Sequence, residues 1–264
     1  MARLGLAPAL LRERNPGLVC ISLSGYGRTG PLRDAAGHDN NYLGRAGMLA
    51  GNGPSPDVPT LVQPPVADCV GSMFALSAVL GALLARHRDG RGCDIDLALA
   101  DVVMPLQTFQ LADLAVTGRS QRRGGEWLNG GRACYRIYRT QDGREMTLGA
   151  IEPKFWHAFC EGAGRSDWID RQDEPQPQRA LIDEVTAFFA GSTAAALTAR
   201  FETIDCCLAP VLSLSEAMGS EQVRQRGLVP RDPATGLWQA LFPAIVDGQA
   251  PRPRRPVVRL DGDR

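Results

Sequence analysis

Apolar positions along the chain fall into short runs and helical stripes with no long internal repeat, the pattern of a mixed α and β protein. Residues 8–14 (PALLRER) predict a short helix that ends before Asn15-Pro16, because a residue ahead of proline is pushed out of the helical region. Residues 18–24 (LVCISLS) are apolar and partly β-branched, which predicts a buried strand. Glycine and proline in 25–31 (GYGRTGP) break either periodicity and predict a loop. A helix carrying Tyr42 and Leu43 is expected over 39–49, and five prolines make 52–65 an irregular crossing segment. The strongest helical signal is 68–87. Its apolar stretch, 69–85, is short for a bilayer and is flanked by Asp68 and by Arg86-His87-Arg88, which predicts a buried core helix. A turn at 89–92, a strand at 93–97 and a helix at 99–114 complete this half.

The character then changes. Residues 118–131 are polar and glycine-rich, like a linker. Two β-rich runs, 133–140 and 145–151, flank Asp142-Gly143 and predict a hairpin. Helices over 154–161, 178–190 and 193–201 follow, then a strand near 206–212. The chain reads as a larger α/β part at 1–120, a smaller α+β part at 121–230 and a tail at 231–264 that returns toward the larger part.

Charge and composition narrow the class. With 29 basic and 29 acidic side chains in 264 residues, nothing recommends the chain for nucleic acid or a membrane surface. The basic run at 252–256 (RPRRP) reads as a solvated tail. Seven scattered cysteines without CxxC spacing argue against a zinc site and a secreted disulfide framework, so a reduced, cytoplasmic protein is expected. The N-terminal residues lack a signal-peptide pattern.

Few residues stand out chemically. Of three histidines, His87 follows a helix end between arginines, and His157 lies on an amphipathic stripe; solvated or structural roles suit both. His38 sits between a glycine-bounded loop and a helix start, where a structural bridge and a chemical role are equally open. Asp68 and Glu152 each stand at a helix start, where capping is the simplest role. GYGRTGP lacks the spacing of an ATP-phosphate loop, and the chain has no HExxH or GxSxG motif.

Taken together, four segments resemble the family III CoA-transferase (CaiB/BaiF) superfamily, closest to its α-methylacyl-CoA racemase branch. RNPGLVCISLSGYGRTGP is similar to the family's RNPRLVYARLSGFGQTGP type of segment. GHDNNYL resembles the racemase branch's GHDINYL, where the transferase branch commonly lacks the histidine. The stretch from VADCVGSMFALS to GRGCDID looks like the segment bearing the family's nucleophile, and GGRACYRIYRTQDGREMTLGAIEPKFW follows its small-domain hairpin. The resemblance covers about residues 3–230.

The resemblance implies an α/β fold. It would be an incomplete, Rossmann-like large domain of the CoA-transferase family III type, with its N-terminal strands missing, plus a small α+β domain. It implies His38 as an acid/base group, Asp68 as the catalytic aspartate, Glu152 as support for the histidine and Tyr135 as a site-lining residue. Arg3 falls where relatives place an arginine near the CoA phosphates. Chemically, an imidazole and a carboxylate on opposite faces of a carbon next to a thioester can move a proton from one side to the other. The implied activity is racemase-like 1,1-proton transfer on an acyl-CoA thioester, with coenzyme A as part of the substrate and no separate cofactor. The implied assembly is an interlocked homodimer or a pairing with a full-length paralogue. Two alternatives stay open. One is a CoA transferase in which Asp68 attacks the thioester to form an acyl-aspartyl intermediate. The other is a truncated, CoA-binding or inactive paralogue. Pro64 stands where racemases often carry a supporting asparagine, and the tail after Asp247 lacks the usual closing segment.

Overall fold

The computed structural model describes residues 2–54, 57–233 and 235–253; residues 254–256 of the basic run lie outside the described residues. The first half opens with α1 (Pro8–Arg14), β1 (Cys20–Ser24), α2 (Asp39–Arg45) and the long α3 (Val66–Asp89). It closes with β2 (Asp94–Ala98) and α4 (Thr108–Thr117). Strands β1 and β2 run parallel, Cys20 opposite Asp94 and Ser24 opposite Ala98. Parallel neighbours need a long crossover, and α3 supplies it. The helix expected over 99–114 is instead broken into two 3-10 turns, Asp101–Val103 and Pro105–Gln107, ahead of α4, because Pro105 cannot continue a ladder. Likewise α2 ends early, and Gly47, at φ +83°, turns the chain into a 3-10 turn at Met48–Gly51.

Burial in this half departs from the sequence reading. Among the described residues its buried cluster consists of Tyr42, Leu43, Ala67 and Val103. The strand expected to be buried leaves Ile21 and Leu23 exposed, at 38% and 44%. The core helix expected at 68–87 is also mostly uncovered. Its residues Met73, Leu76, Leu80 and Leu84 follow helical spacing and all face outward. The reason is geometric: α3 meets β1, β2, α2 and the 101–103 turn, and these touch only part of its circumference. By length and composition α3 is apolar enough to cross a membrane.

The second half is built differently. Strands β3 (Tyr135–Arg139), β4 (Glu145–Gly149) and β5 (Leu208–Pro210) form an antiparallel sheet in that order. Gly143, at φ +75°, supplies the left-handed residue that the β3–β4 turn needs. Helices α5 (Pro153–Ala163), α6 (Arg179–Ala190) and α7 (Ala194–Phe201) pack around one core with the sheet, and α8 (Leu214–Gly219) and α9 (Glu221–Arg226) follow. Phe159 sits at the centre, its ring 5.6–6.3 Å from those of Trp156, Trp168, Phe188, Phe189 and Phe201. At the edge of this core the Glu184 carboxylate accepts from Trp168 Nε1 (2.9 Å), Arg171 (2.8 Å) and Arg165 (2.7 Å).

Candidate active site

His38 is the residue from which α2 begins. Its backbone is extended, and its N–H donates to Asn41 Oδ1 at 3.0 Å. The segment is fixed by Tyr42, whose hydroxyl donates to the Gly37 carbonyl at 2.5 Å and whose ring meets Tyr26 edge-on at 5.2 Å. Glycine is required on both sides of that ring. A Cβ on Gly37 would lie 2.8 Å from Tyr42 Cε1, and one on Gly25 would lie 2.6 Å from its hydroxyl. The seat for His38 is therefore written in GYG and GHDNNY together.

Asp68 stands in the first turn of α3, three residues after the capping position, Pro65. Its backbone N–H donates to Asp39 Oδ1 at 3.2 Å, and the Ala67 N–H donates to the same oxygen at 2.6 Å. One carboxylate oxygen from the residue next to His38 thus serves the free N–H groups that open α3. The simplest sequence role for Asp68, capping α3, is taken by Asp39. The Asp68 carboxylate is left exposed. It lies near Tyr42, whose phenol is pushed up by burial first, then by the Tyr26 phenol and the Asp68 charge.

Glu152 belongs to the other half. It is the N-cap residue of α5, yet its side chain makes no capping bond; only its carbonyl accepts, from Phe155 and Trp156. The residue is exposed and close to Cys207, whose thiol is pushed up by burial and then by the charges of Asp205 and Glu152. Tyr135, half-exposed, lines a cavity of about 540 Å³ with Asn52, Leu128, Ile137 and Leu148. Arg3 is exposed in a 3-10 turn at Ala2–Leu4. Asp39 joins the starts of α2 and α3, which carry His38 and Asp68. Among the described residues no hydrogen bond or ion pair joins either of them to Glu152. His157 faces solvent beside Glu161 at 3.4 Å, and His87 is exposed at the end of α3.

Asp39 is the residue that sequence reasoning missed. An acidic residue beside a histidine at a helix start reads as serving its own helix, and nothing local shows that its partners lie 28 and 29 positions onward.

A family model described as CoA-transferase family III matches residues 1–262. The chain belongs to CoA-transferase family III. Among its family III relatives, α-methylacyl-CoA racemase from Homo sapiens is 34% identical over 234 residues, 86% of this chain and 60% of that protein. Succinyl-CoA:glutarate CoA-transferase from Mus musculus is 27% identical over 255 residues, covering 93% of this chain and 58% of that protein. The chain thus spans about 60% of the length of these curated relatives. The crystal structure of a CAIB/BAIF family protein from Brucella suis superposes with a TM-score of 0.77 at 22% identity, over 94% of this chain and 66% of that one. That likeness concerns the fold, a mixed α/β architecture with small sheets.

Proposed function

We propose that the chain acts on acyl-CoA thioesters by 1,1-proton transfer at the carbon beside the thioester, with His38 and Asp68 as the acid/base pair. The observation that carries this reading is the Asp39 bridge. It holds the start of α2 and the start of α3 together while leaving the Asp68 carboxylate uncommitted. An imidazole titrates near neutrality and a carboxylate accepts a proton readily, so the pair can deprotonate one face and reprotonate the other. The family III racemases among the relatives favour this chemistry. Coenzyme A enters as part of the substrate, and no separate cofactor is invoked.

Glu152 and Tyr135 join the site in this proposal when a second copy, or a full-length paralogue, presents its small α+β region to the His38–Asp68 surface. Two features support that assembly. All three ionisable residues are exposed in the single chain, whereas chemistry on an enolate needs water excluded. The stripe of Met73, Leu76, Leu80 and Leu84 on α3 is an apolar surface of the kind that marks interfaces.

The test is α-hydrogen exchange of a 2-methylacyl-CoA in D2O, followed by mass spectrometry. Exchange by the wild-type chain that is lost in His38→Ala and Asp68→Ala is the expected result. An exchange rate per chain that rises with concentration supports the assembly, and wild type without exchange at any concentration counts against the reading. A second reading rests on the same uncommitted Asp68 carboxylate and on the transferases among the relatives. There Asp68 attacks the thioester, forms an acyl-aspartyl anhydride and releases CoA. Hydroxylamine trapping at Asp68 without solvent exchange selects that reading.

A further inference from the structure

A cavity of about 580 Å³ lies between the glycine-rich 118–131 segment and the start of α6. It is lined by four arginines, Arg122, Arg123, Arg136 and Arg179, with Asp183 as the lining carboxylate. Three of the guanidinium groups are held in place from behind. Arg122 gives its backbone N–H and its Nε to Glu126 at 2.9 and 3.0 Å. Arg123 donates to the carbonyls of Ala50 (3.2 Å) and Asp57, and Arg136 to that of Gly130. Each guanidinium carries five donors, so every one of them has N–H groups left over. Among the described residues the Arg179 side chain makes no hydrogen bond or ion pair, even with Asp183 one helical turn onward; only its backbone N–H is engaged, by the Pro177 carbonyl at 2.9 Å.

The backbone adds to the same field. Helix α6 is 12 residues long and starts at Arg179, and no side chain caps it. Its N-cap, Gln178, directs its amide elsewhere. The Gln178 oxygen accepts from the Ala133 N–H, and its NH₂ group donates to the carbonyls of Gln172 and Glu174. The positive end of the helix therefore opens beside Pro177 and Arg179 without a side-chain acceptor, its first N–H engaged only by the Pro177 carbonyl. Four arginines against Asp183 leave an excess of three positive charges, or two once Glu126 is set against Arg122 (4 − 1 − 1).

That charge selects the ligand class. A single carboxylate would leave the cavity positive, whereas a phosphate monoester carries about −1.5 to −2 and offers three acceptor oxygens to forked guanidinium donors. We infer that this cavity is a binding site for a phosphate group, formed by residues other than those proposed for the reaction. The phosphate belongs either to a nucleotide or to a free inorganic anion. The cavity shares Gly124 and Arg136 with the one lined by Tyr135, so a ligand held by its phosphate lies next to that second space.

Isothermal titration calorimetry of the full chain with inorganic pyrophosphate and with 3′,5′-ADP tests the inference. Binding of at least one probe is expected, weakened about tenfold by Arg179→Ala and strengthened several-fold by Asp183→Asn. Both positions are exposed, and Asp183→Asn reports a gain that a damaged fold cannot imitate. Equal binding of both probes assigns the site to free phosphates; preference for 3′,5′-ADP assigns it to nucleotides. Absence of binding by either probe, or affinities unchanged in both variants, overturns the inference.

Discussion

The two halves of the chain bury apolar residues to very different degrees. Around Phe159 the second half closes a dry core of stacked aromatic rings, with Trp156, Trp168, Phe189 and Leu181 fully buried. The first half, which holds His38 and Asp68, closes a buried apolar cluster of four residues and leaves an apolar stripe of α3 uncovered. The half with the self-contained core supplies stability, and the half with the candidate acid/base pair is the one whose packing calls for a second surface. Removing a large ring from the closed core sharpens that contrast. Phe159→Ala is expected to cost about 3–5 kcal/mol, read as a lower urea midpoint, because truncating a buried ring removes contacts and leaves a cavity.

Next in size is the loss of Asp39. Asp39→Ala leaves the N–H groups of Ala67 and Asp68 without their acceptor and is expected to destabilise by roughly 1 kcal/mol, as N-cap losses do. Its effect on α-hydrogen exchange should be larger than its effect on stability, and Asp39→Asn, which keeps an acceptor oxygen, should restore most of both.

A similar loss with a different pH signature is expected at Glu184. Hydrogen bonds from Trp168, then Arg171 and Arg165, hold its carboxyl at about 2, well below the ordinary glutamate value. A carboxyl depressed in the folded state stabilises the protein above the unfolded value, near 4.3, and that stabilisation fades as pH falls toward about 2. Because the side chain is 36% exposed, water screens the effect to roughly 1 kcal/mol or less. Urea unfolding followed by tryptophan fluorescence should show Glu184→Gln weaker than wild type at pH 7 and nearly equal to it at pH 2. Smallest of all is Leu84→Ala on the open face of α3. At 73% exposure it should move the isolated chain by under about 0.5 kcal/mol, while raising the concentration needed for activity if that face is an interface.

Much of the fold was legible because it is set by local rules. Asn15-Pro16 stops α1, Asp142-Gly143 turns the hairpin, and the stripe in α6 runs to Ala190 as its spacing predicts. What was not legible depends on what packs where. The apolar run of α3 specifies a helix, yet the same letters describe a helix covered on every side and one covered on a single side. The short helices α8 and α9 carry little apolar signal and rest on serine caps at Ser213 and Ser220. At the candidate site, His38 and Asp68 were visible as residue types in a familiar setting. The bond that relates them was not, since it runs from a side chain in one segment to the backbone of another.

That bond also bears on which parts of the chain can change in length. Because Asp39 sets the alignment of α2 with α3 directly, the connecting chain does not have to act as a ruler. Asn52 and Thr60 pinch the base of the loop around Val58, at 2.7 Å (Asn52 Nδ2 to the Thr60 carbonyl) and 3.2 Å (Thr60 N to the Asn52 carbonyl). Insertions beside Val58, 82% exposed, lengthen the chain between these two residues at an entropic cost that grows only with the logarithm of its length. Evolution or engineering can therefore graft new residues there while the spacing of imidazole and carboxylate anchors stays constant.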